Sequence, residues 1–282
     1  MPALEFFAIT FVCAIGAGVL GALLGLGGGV IMVPVLTLGL GVDIHYAIGA
    51  SIVSVIATSS GAAATYVRDR ITNLRIGMFL EMATTTGAIT GAYIGGLISG
   101  RALYIIFGAI LAYSGVMMFR KRHVELPTDV PESILATRLR MHGTYFDAAL
   151  KQQVHYRVAG VLEGLGLMYV AGVVSGLLGI GSGALKVPAM DLAMHLPMKV
   201  SSATSNFMIG VTAAASAGIY FERGDIQALI AAPVAMGVLI GATSGTRLLI
   251  RLRGSVIRQI FVLVLVVICI EMLGRGLGIQ LP

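Results

Sequence analysis

The chain has 282 residues, 57% of them hydrophobic and 11% charged, where a soluble domain carries about 25% charged residues. With a mean hydropathy of +0.95, it has too little polar surface to solvate a globule, which argues against a soluble enzyme, a disordered chain or a secreted disulfide scaffold and for an integral membrane protein. The net charge of +6 is a poor sign of nucleic-acid binding, because seven of the 19 Lys and Arg residues fall between Arg120 and Arg157, the habit of a cytoplasmic loop.

Glu5 to Leu24 is apolar for about 20 residues, enough to cross a hydrocarbon core of roughly 30 Å. No Lys or Arg precedes it, so it does not read as a cleavable signal. A glycine cluster follows (Gly25, Gly27, Gly28, Gly29), then an apolar piece, 30–40, only about half a bilayer long at 1.5 Å per residue. Further spans are expected at 46–67, 74–98 and 101–119. Residues 120–157 read as a solvated linker, with Arg120, Lys121, Arg122, Arg138, Arg140, Lys151, Arg157, His123, His142 and His155. Within it Tyr145–Arg157 can form a small hairpin, with Tyr145, Val154 and Tyr156 as strand positions. The second part brings a span at 158–178, a second cluster (Gly179, Gly181, Ser182, Gly183), a second short piece at 184–194, and spans at 200–221, 226–250 and 255–273. Three regions are therefore expected: a first transmembrane repeat, 1–119, a cytoplasmic linker, 120–157, and a second repeat, 158–282.

Displacing the sequence by 154 residues lays GVLGALLGLGGGVIMVP at 18–34 over GVVSGLLGIGSGALKVP at 172–188, with nine of seventeen pairs identical. The same offset pairs Ser51 with Ser205, Thr58 with Thr212, Tyr66 with Tyr220, Gly87 with Gly241 and Gly91 with Gly245. A gapless offset held this long marks a duplication. Charge sets the orientation. The loop at 68–75 holds Arg68, Arg70 and Arg75 against Asp69, whereas its partner at 222–229 holds Glu222, Arg223 and Asp225. The next loop reverses the contrast, with Arg101 alone in the first half and Arg247, Arg251, Arg253 and Arg258 in the second. By the positive-inside rule, matching loops then face opposite sides of the membrane. The expected fold is an all-α polytopic membrane protein of two inverted repeats, each of about five helical segments with a glycine-broken half-helix. Both termini are then outside.

Inverted repeats with interrupted helices place substrate near the midplane, between the halves. Gly25, Gly27, Gly28 and Gly29 permit a sharp break, and the N–H groups and positive dipole end of the half-helix beyond it favour an anion. Gly179, Gly181, Ser182 and Gly183 repeat the device. Lys186 replaces Met32 of the first repeat, and a lysine at membrane depth is a functional-site hypothesis by default. The bland alternative is that it snorkels to an interface or pairs with Asp191. Ser51, Ser205 and Asn206 could complete a polar lining, or equally serve as helix–helix hydrogen bonds or caps.

With these residues in view, the duplicated GLLGLGGGVIMVP and GLLGIGSGALKVP, and SSATSNFMIGVTA after the second, resemble the TauE/SafE family of sulfite exporters. The resemblance covers nearly the whole chain. It implies an inner-membrane permease for sulfite, sulfonates or related sulfur oxyanions. The family's glycine-rich loops map onto Gly25–Gly29 and Gly179–Gly183, and its TSN element onto Thr204, Ser205 and Asn206. Ser182 departs from the glycine of many members, and a hydroxyl there could read a particular oxyanion.

Other signals carry less. Gly16, Gly18 and Gly21 satisfy GxGxxG but lie in an apolar run without a preceding strand. The Gly87/Gly91 and Gly241/Gly245 pairs suit close helix packing. Glu81, Glu163 and Glu271 each could carry a coupling proton, yet Glu81 and Glu163 lie near span ends and could simply reach water. Cys13 and Cys269 form neither a CxxC pair nor a metal-ligand spacing, so no cofactor or metal is expected. The partners expected are a small anion and the lipid bilayer. An intramembrane enzyme is the reading from another class, but no His or second Lys falls at membrane depth to activate a serine. A permease for an unrelated small anion is the nearer alternative. No Walker motif appears, so energy must come from a gradient or the membrane potential.

Overall fold

In a computed structural model, residues 3–120, 130–131 and 133–278 are described. Lys121, Arg122 and His123 of the basic linker lie outside them. The first half comprises α1 (Ala3–Leu24), the short α2 (Gly29–Pro34), α3 (Ile44–Arg68), α4 (Leu74–Gly95) and α5 (Gly100–Arg120). A small insert follows, with α6 (Ile134–Arg138), β1 (Gly143–Asp147) and β2 (Gln152–Tyr156). The second half repeats the order: α7 (Val161–Leu178), the short α8 (Gly183–Pro188), α9 (Met198–Glu222), α10 (Ala228–Arg251) and α11 (Gly254–Leu277). This is an all-α polytopic membrane protein. Among the described residues six helices are long and apolar enough to cross a membrane: α1, α3, α5, α7, α10 and α11. α4 and α9 are as long, 22 and 25 residues, but they carry the polar side chains that build the site.

Both short pieces differ in detail from simple half-helices. α2 and α8 each end at a proline and continue as one π-helical turn, Val35–Gly39 and Ala189–Ala193. Pro34 and Pro188 have no N–H to donate and crowd the turn before them, and the wider turn accommodates that defect.

Glycine rows bring the helices together. Gly237 and Gly241 of α10 lie on the carbonyls of Phe11 and Ile15 in α1, and Gly87 and Gly91 of α4 lie on those of Tyr169 and Val173 in α7. In both pairs residue numbers rise together, so the helices run parallel. A Cβ at Gly91 would strike the Val173 carbonyl, so the glycines of these pairs serve close helix packing. Gly18 sits against the Val238 backbone in the same way, far from any nucleotide-binding turn.

Corresponding helices of the two halves run antiparallel. α3 meets α9 and the turn after it, with Ser59 at Asn206, where Ser59 donates to the Asn206 carbonyl at 2.6 Å, and Gly49 at Asp225 just beyond the end of α9. α5 meets α11 with Arg101 donating to the Gly276 carbonyl at 2.9 Å and Gly115 beside Leu265. Tyr66 donates to the Ala22 carbonyl at 3.1 Å, and its repeat partner Tyr220 donates to the Gly176 carbonyl at 2.5 Å. Those two acceptors are again 154 residues apart.

The insert contains the expected hairpin, with Tyr145 opposite Val154, but it is not simply solvated. Ala136, Met141, Tyr145 and Val154 are buried, in one cluster with Ile76 and Leu80 of α4 and with Met190, Met194 and Leu196. Charged residues hide this face in the sequence; Arg138, Arg140, Lys151 and His155 are exposed. His142 is structural, its Nδ1 accepting from the Val158 N–H at 3.1 Å. Asn73 and Arg75 donate to the carbonyls of Met141 and Arg140 at 2.8 and 2.9 Å, so the basic loop at 68–75 lies against the insert. Lys199, at the start of α9, pairs with Asp147 of β1 at 2.7 Å. Burial, and then the Asp147 carboxylate, hold the Tyr145 hydroxyl well above the ordinary phenol range, so it remains a donor to Asp147, 3.2 Å away.

Candidate functional site

Each glycine cluster breaks the chain where the fold needs left-handed backbone. Gly25 and Gly27 have φ of +72° and +64°, and Gly179 and Gly181 have +63° and +77°, values that glycine adopts at little cost. Ser182 adopts +56° without that freedom, whereas its counterpart Gly28 has φ −25°. Its hydroxyl donates to the Gly181 carbonyl at 2.7 Å, turned onto its own loop. The breaks touch each other: Gly183 packs on the carbonyl of Gly25 and the Cα of Leu26. Among the described residues the N–H groups of Gly29 and Val30, and of Gly183 and Ala184, have no backbone acceptor. Val55 and Ile209 fill the space beside Gly181 and Gly27.

The long helices hold the breaks crosswise. Ser51 of α3 donates to the Gly179 carbonyl at 2.8 Å, and Ser205 of α9 donates to the Gly25 carbonyl at 2.6 Å. Asn206 donates from Nδ2 to the Ala22 carbonyl at 2.6 Å, while its buried Oδ1 has no partner among the described residues. Ser51, Ser205 and Asn206 therefore join the breaks as hydrogen bonds between halves. All twelve sequence-derived site residues lie on these two breaks or on the helices touching them.

Lys186 is fully buried. It pairs with Glu81 of α4, and Asp191 takes a different partner. Nζ lies 3.2 Å from Glu81 Oε2 and donates to Thr212 Oγ1 of α9 at 2.6 Å. Thr212 in turn donates to Glu81 Oε1 at 2.5 Å, which also accepts from Thr85 at 3.1 Å. An ammonium has three N–H groups, and the third finds no partner among the described residues. Glu81 does not reach water freely, being 8% exposed. The counterparts of Lys186, Glu81 and Thr212 at the 154-residue offset are Met32, Ala235 and Thr58, so the duplicated counterpart of this site carries neither charge.

Asp191 pairs instead with Arg258 of α11 at 2.6 Å, both buried. Their counterparts are Thr37 and Tyr104. Reading the residues singly missed both ion pairs. A signal was present: at each pair, both partners break the 154-residue correspondence together, each charged residue matched by an uncharged one in the other half and the two charges of opposite sign.

The opposite face of α8 borders an apolar cavity of about 520 Å³ against α5 and α7, lined by Tyr113, Leu167, Leu185 and Pro188 among others. It contains none of the predicted site residues. Among the described residues no group of three or more His, Cys, Asp or Glu side chains is placed to hold a metal ion.

Comparison with known proteins agrees with this architecture. The chain is 27% identical over 278 residues to the "Probable membrane transporter protein YunE" of Bacillus subtilis, covering 96% of this chain and 98% of that one. It is 27% identical over 257 residues to a "Probable membrane transporter protein" of Xylella fastidiosa, covering 90% of each. The "Probable membrane transporter protein YdhB" of Bacillus subtilis is 24% identical over 232 residues, with 82% of this chain and 85% of that one covered. No solved structure matches the chain. The family model described as "Sulfite exporter TauE/SafE" matches residues 10–272, and the chain belongs to that family of membrane transporters.

Proposed function

We propose that the protein is a secondary carrier of the inner membrane for a small sulfur-containing anion such as sulfite or an organosulfonate, working by alternating access between two inverted repeats. One observation carries this reading: a fully buried lysine, Lys186, directly beyond a helix break, whose third N–H meets no acceptor among the described residues. A cation at that depth is expensive and has a neutral counterpart, Met32, in the other half. The N–H groups at the two breaks add further donors for an oxyanion, and the family description supplies its class. Gly25, Gly27, Gly28, Gly29, Gly179, Gly181, Ser182 and Gly183 shape the cradle. Ser51, Ser205 and Asn206 hold it.

The inverted orientation is supported by α5 and α11. Both are apolar and long enough to cross a membrane, and corresponding helices that run antiparallel fit a two-fold axis in the membrane plane. The basic loop at 68–75, the insert and the Arg247–Arg258 stretch then share one face, the cytoplasmic one by their charge. The division into repeats 1–119 and 158–282 around a cytoplasmic linker at 120–157 follows. Efflux is the physiological direction, because the potential of a negative-inside cell favours it by about 2.3 kcal/mol per charge per 100 mV.

The test is labelled-sulfite counterflow in proteoliposomes with Lys186→Met, made alone and together with Glu81→Ala, so that both positions carry the neutral residue of their counterparts, Met32 and Ala235. Losing a charged hydrogen bond to the anion costs about 1.5–3 kcal/mol, roughly 10- to 100-fold in half-saturation. Unchanged half-saturation and rate in the folded double variant would remove Lys186 from the site.

A further inference from the structure

We infer that Glu81 is the seat of a coupling proton, so that each anion crosses together with one proton. This rests on the carrier reading above and extends it to the ion that accompanies the substrate.

The inference starts from charge balance. With no anion bound, Lys186 and Glu81 form a neutral unit, sealed by Thr212, in a place where a single uncompensated charge is costly. The Glu81 carboxylate takes two of the positions that a substrate oxyanion would take, one on the Lys186 ammonium and one on the Thr212 hydroxyl. An arriving anion that binds Lys186 therefore leaves the unit with one excess negative charge. Taking a proton from water on the entry side onto the Glu81 carboxyl restores neutrality and releases Lys186 to the anion. On the exit side the anion leaves, Glu81 returns its proton to water and closes on Lys186 again. The empty carrier then reorients as the neutral pair.

The surroundings of Glu81 isolate this exchange. On α4 itself Thr85 contributes only a hydroxyl. From α8 the facing group is Lys186, and from α9 it is Thr212. The other titratable side chains of the adjacent elements are engaged or turned away. Lys199 pairs with Asp147, Asp191 with Arg258, and Tyr220 donates to the Gly176 carbonyl; Glu163 and Tyr169 of α7 are exposed. The duplicated counterpart of the site, shared between the two repeats, is the internal control. With Met32 and Ala235 in the matching places, the fold does not require the charges.

The stoichiometry sets what drives transport, because the membrane potential acts only on the charge left after the proton is counted, and for a monoanion it no longer favours exit. A monoanion with one proton crosses without net charge, so the anion and proton gradients alone drive it. A dianion with one proton still carries one negative charge, and the membrane potential continues to favour its exit.

The experiment compares two modes of labelled-sulfite transport in proteoliposomes, for wild type, Glu81→Gln and Glu81→Ala. Counterflow exchanges bound anions and never requires the empty carrier to reorient; net efflux does. With Glu81 permanently neutral, counterflow persists within about threefold. Net efflux falls by roughly a hundredfold, because the empty carrier strands the Lys186 ammonium without its counter-charge. The alanine variant, with the residue found at position 235, serves if the glutamine variant does not fold. Equal loss of both modes in folded variant, or full retention of both, would overturn the proton seat. Absence of counterflow in the wild type would instead overturn the carrier reading beneath it.

Discussion

Lys199 and Asp147 form a buried ion pair at 2.7 Å that ties the linker hairpin to the start of α9. Asp147 also accepts from the N–H groups of Ala149 and Leu150 at 2.9 and 3.1 Å, so one carboxylate shapes the hairpin turn and fastens it to the helix. Asp147→Ala strands a buried ammonium, which costs about 3–5 kcal/mol when one partner of such a pair is removed. The purified variant should unfold at a clearly lower temperature and be cut by protease in the hairpin. An unchanged unfolding midpoint would mean that the hairpin is not fastened there.

The Lys186–Glu81 pair behaves differently. Changing both residues at once, Lys186→Met with Glu81→Ala, leaves no stranded charge, and replacing a buried ion pair by apolar residues is often neutral or stabilising. The double variant should therefore unfold at or above the wild-type temperature while losing sulfite transport. A stability loss as large as that of Lys186→Met alone would assign the pair a structural role instead.

Much of this was legible in the sequence because apolar length and glycine spacing are local signals. The span at 46–67 sits at Ile44–Arg68, starting earlier because the Asp43 side chain accepts from the His45 N–H and caps the helix. The breaks at Gly25–Gly29 and Gly179–Gly183 were legible because left-handed backbone at these turns selects glycine. No local signal pairs Lys186 with its partner; only the joint loss of charge at Met32 and Ala235 links it to Glu81. Glu81 lies 105 residues away in sequence, and only the three-dimensional packing of α4 on α7 and α9 brings it near. The packed face of the linker was hidden for a related reason, since its apolar residues are spaced among charges and meet surfaces contributed by both repeats.

Glycine rows make a separate prediction. Gly91→Leu on α4 forces a side chain into the Val173 backbone of α7, where neither helix can yield locally. Overpacking of this kind costs about 1–3 kcal/mol or more. Gly39→Leu, at a position with open space around it, should cost far less. Comparable unfolding temperatures for the two variants would contradict the close packing of α4 on α7.

Ser182 separates backbone from side-chain roles. Its left-handed φ of +56° costs a non-glycine residue about 1–2 kcal/mol, and its hydroxyl is spent on the Gly181 carbonyl. Ser182→Gly should raise the unfolding temperature and leave sulfite counterflow intact, because what this position offers an anion is its N–H. A changed ranking of competing anions in this variant would show that the hydroxyl reads the substrate.

The most direct measurement is labelled-sulfite counterflow by the wild-type protein in proteoliposomes, with sulfate, thiosulfate and small sulfonates as competitors. A carrier for sulfur oxyanions gives saturable counterflow, and the members of its substrate class compete with the label. Folded, correctly inserted protein that shows no counterflow with sulfite or with any of these anions would contradict it.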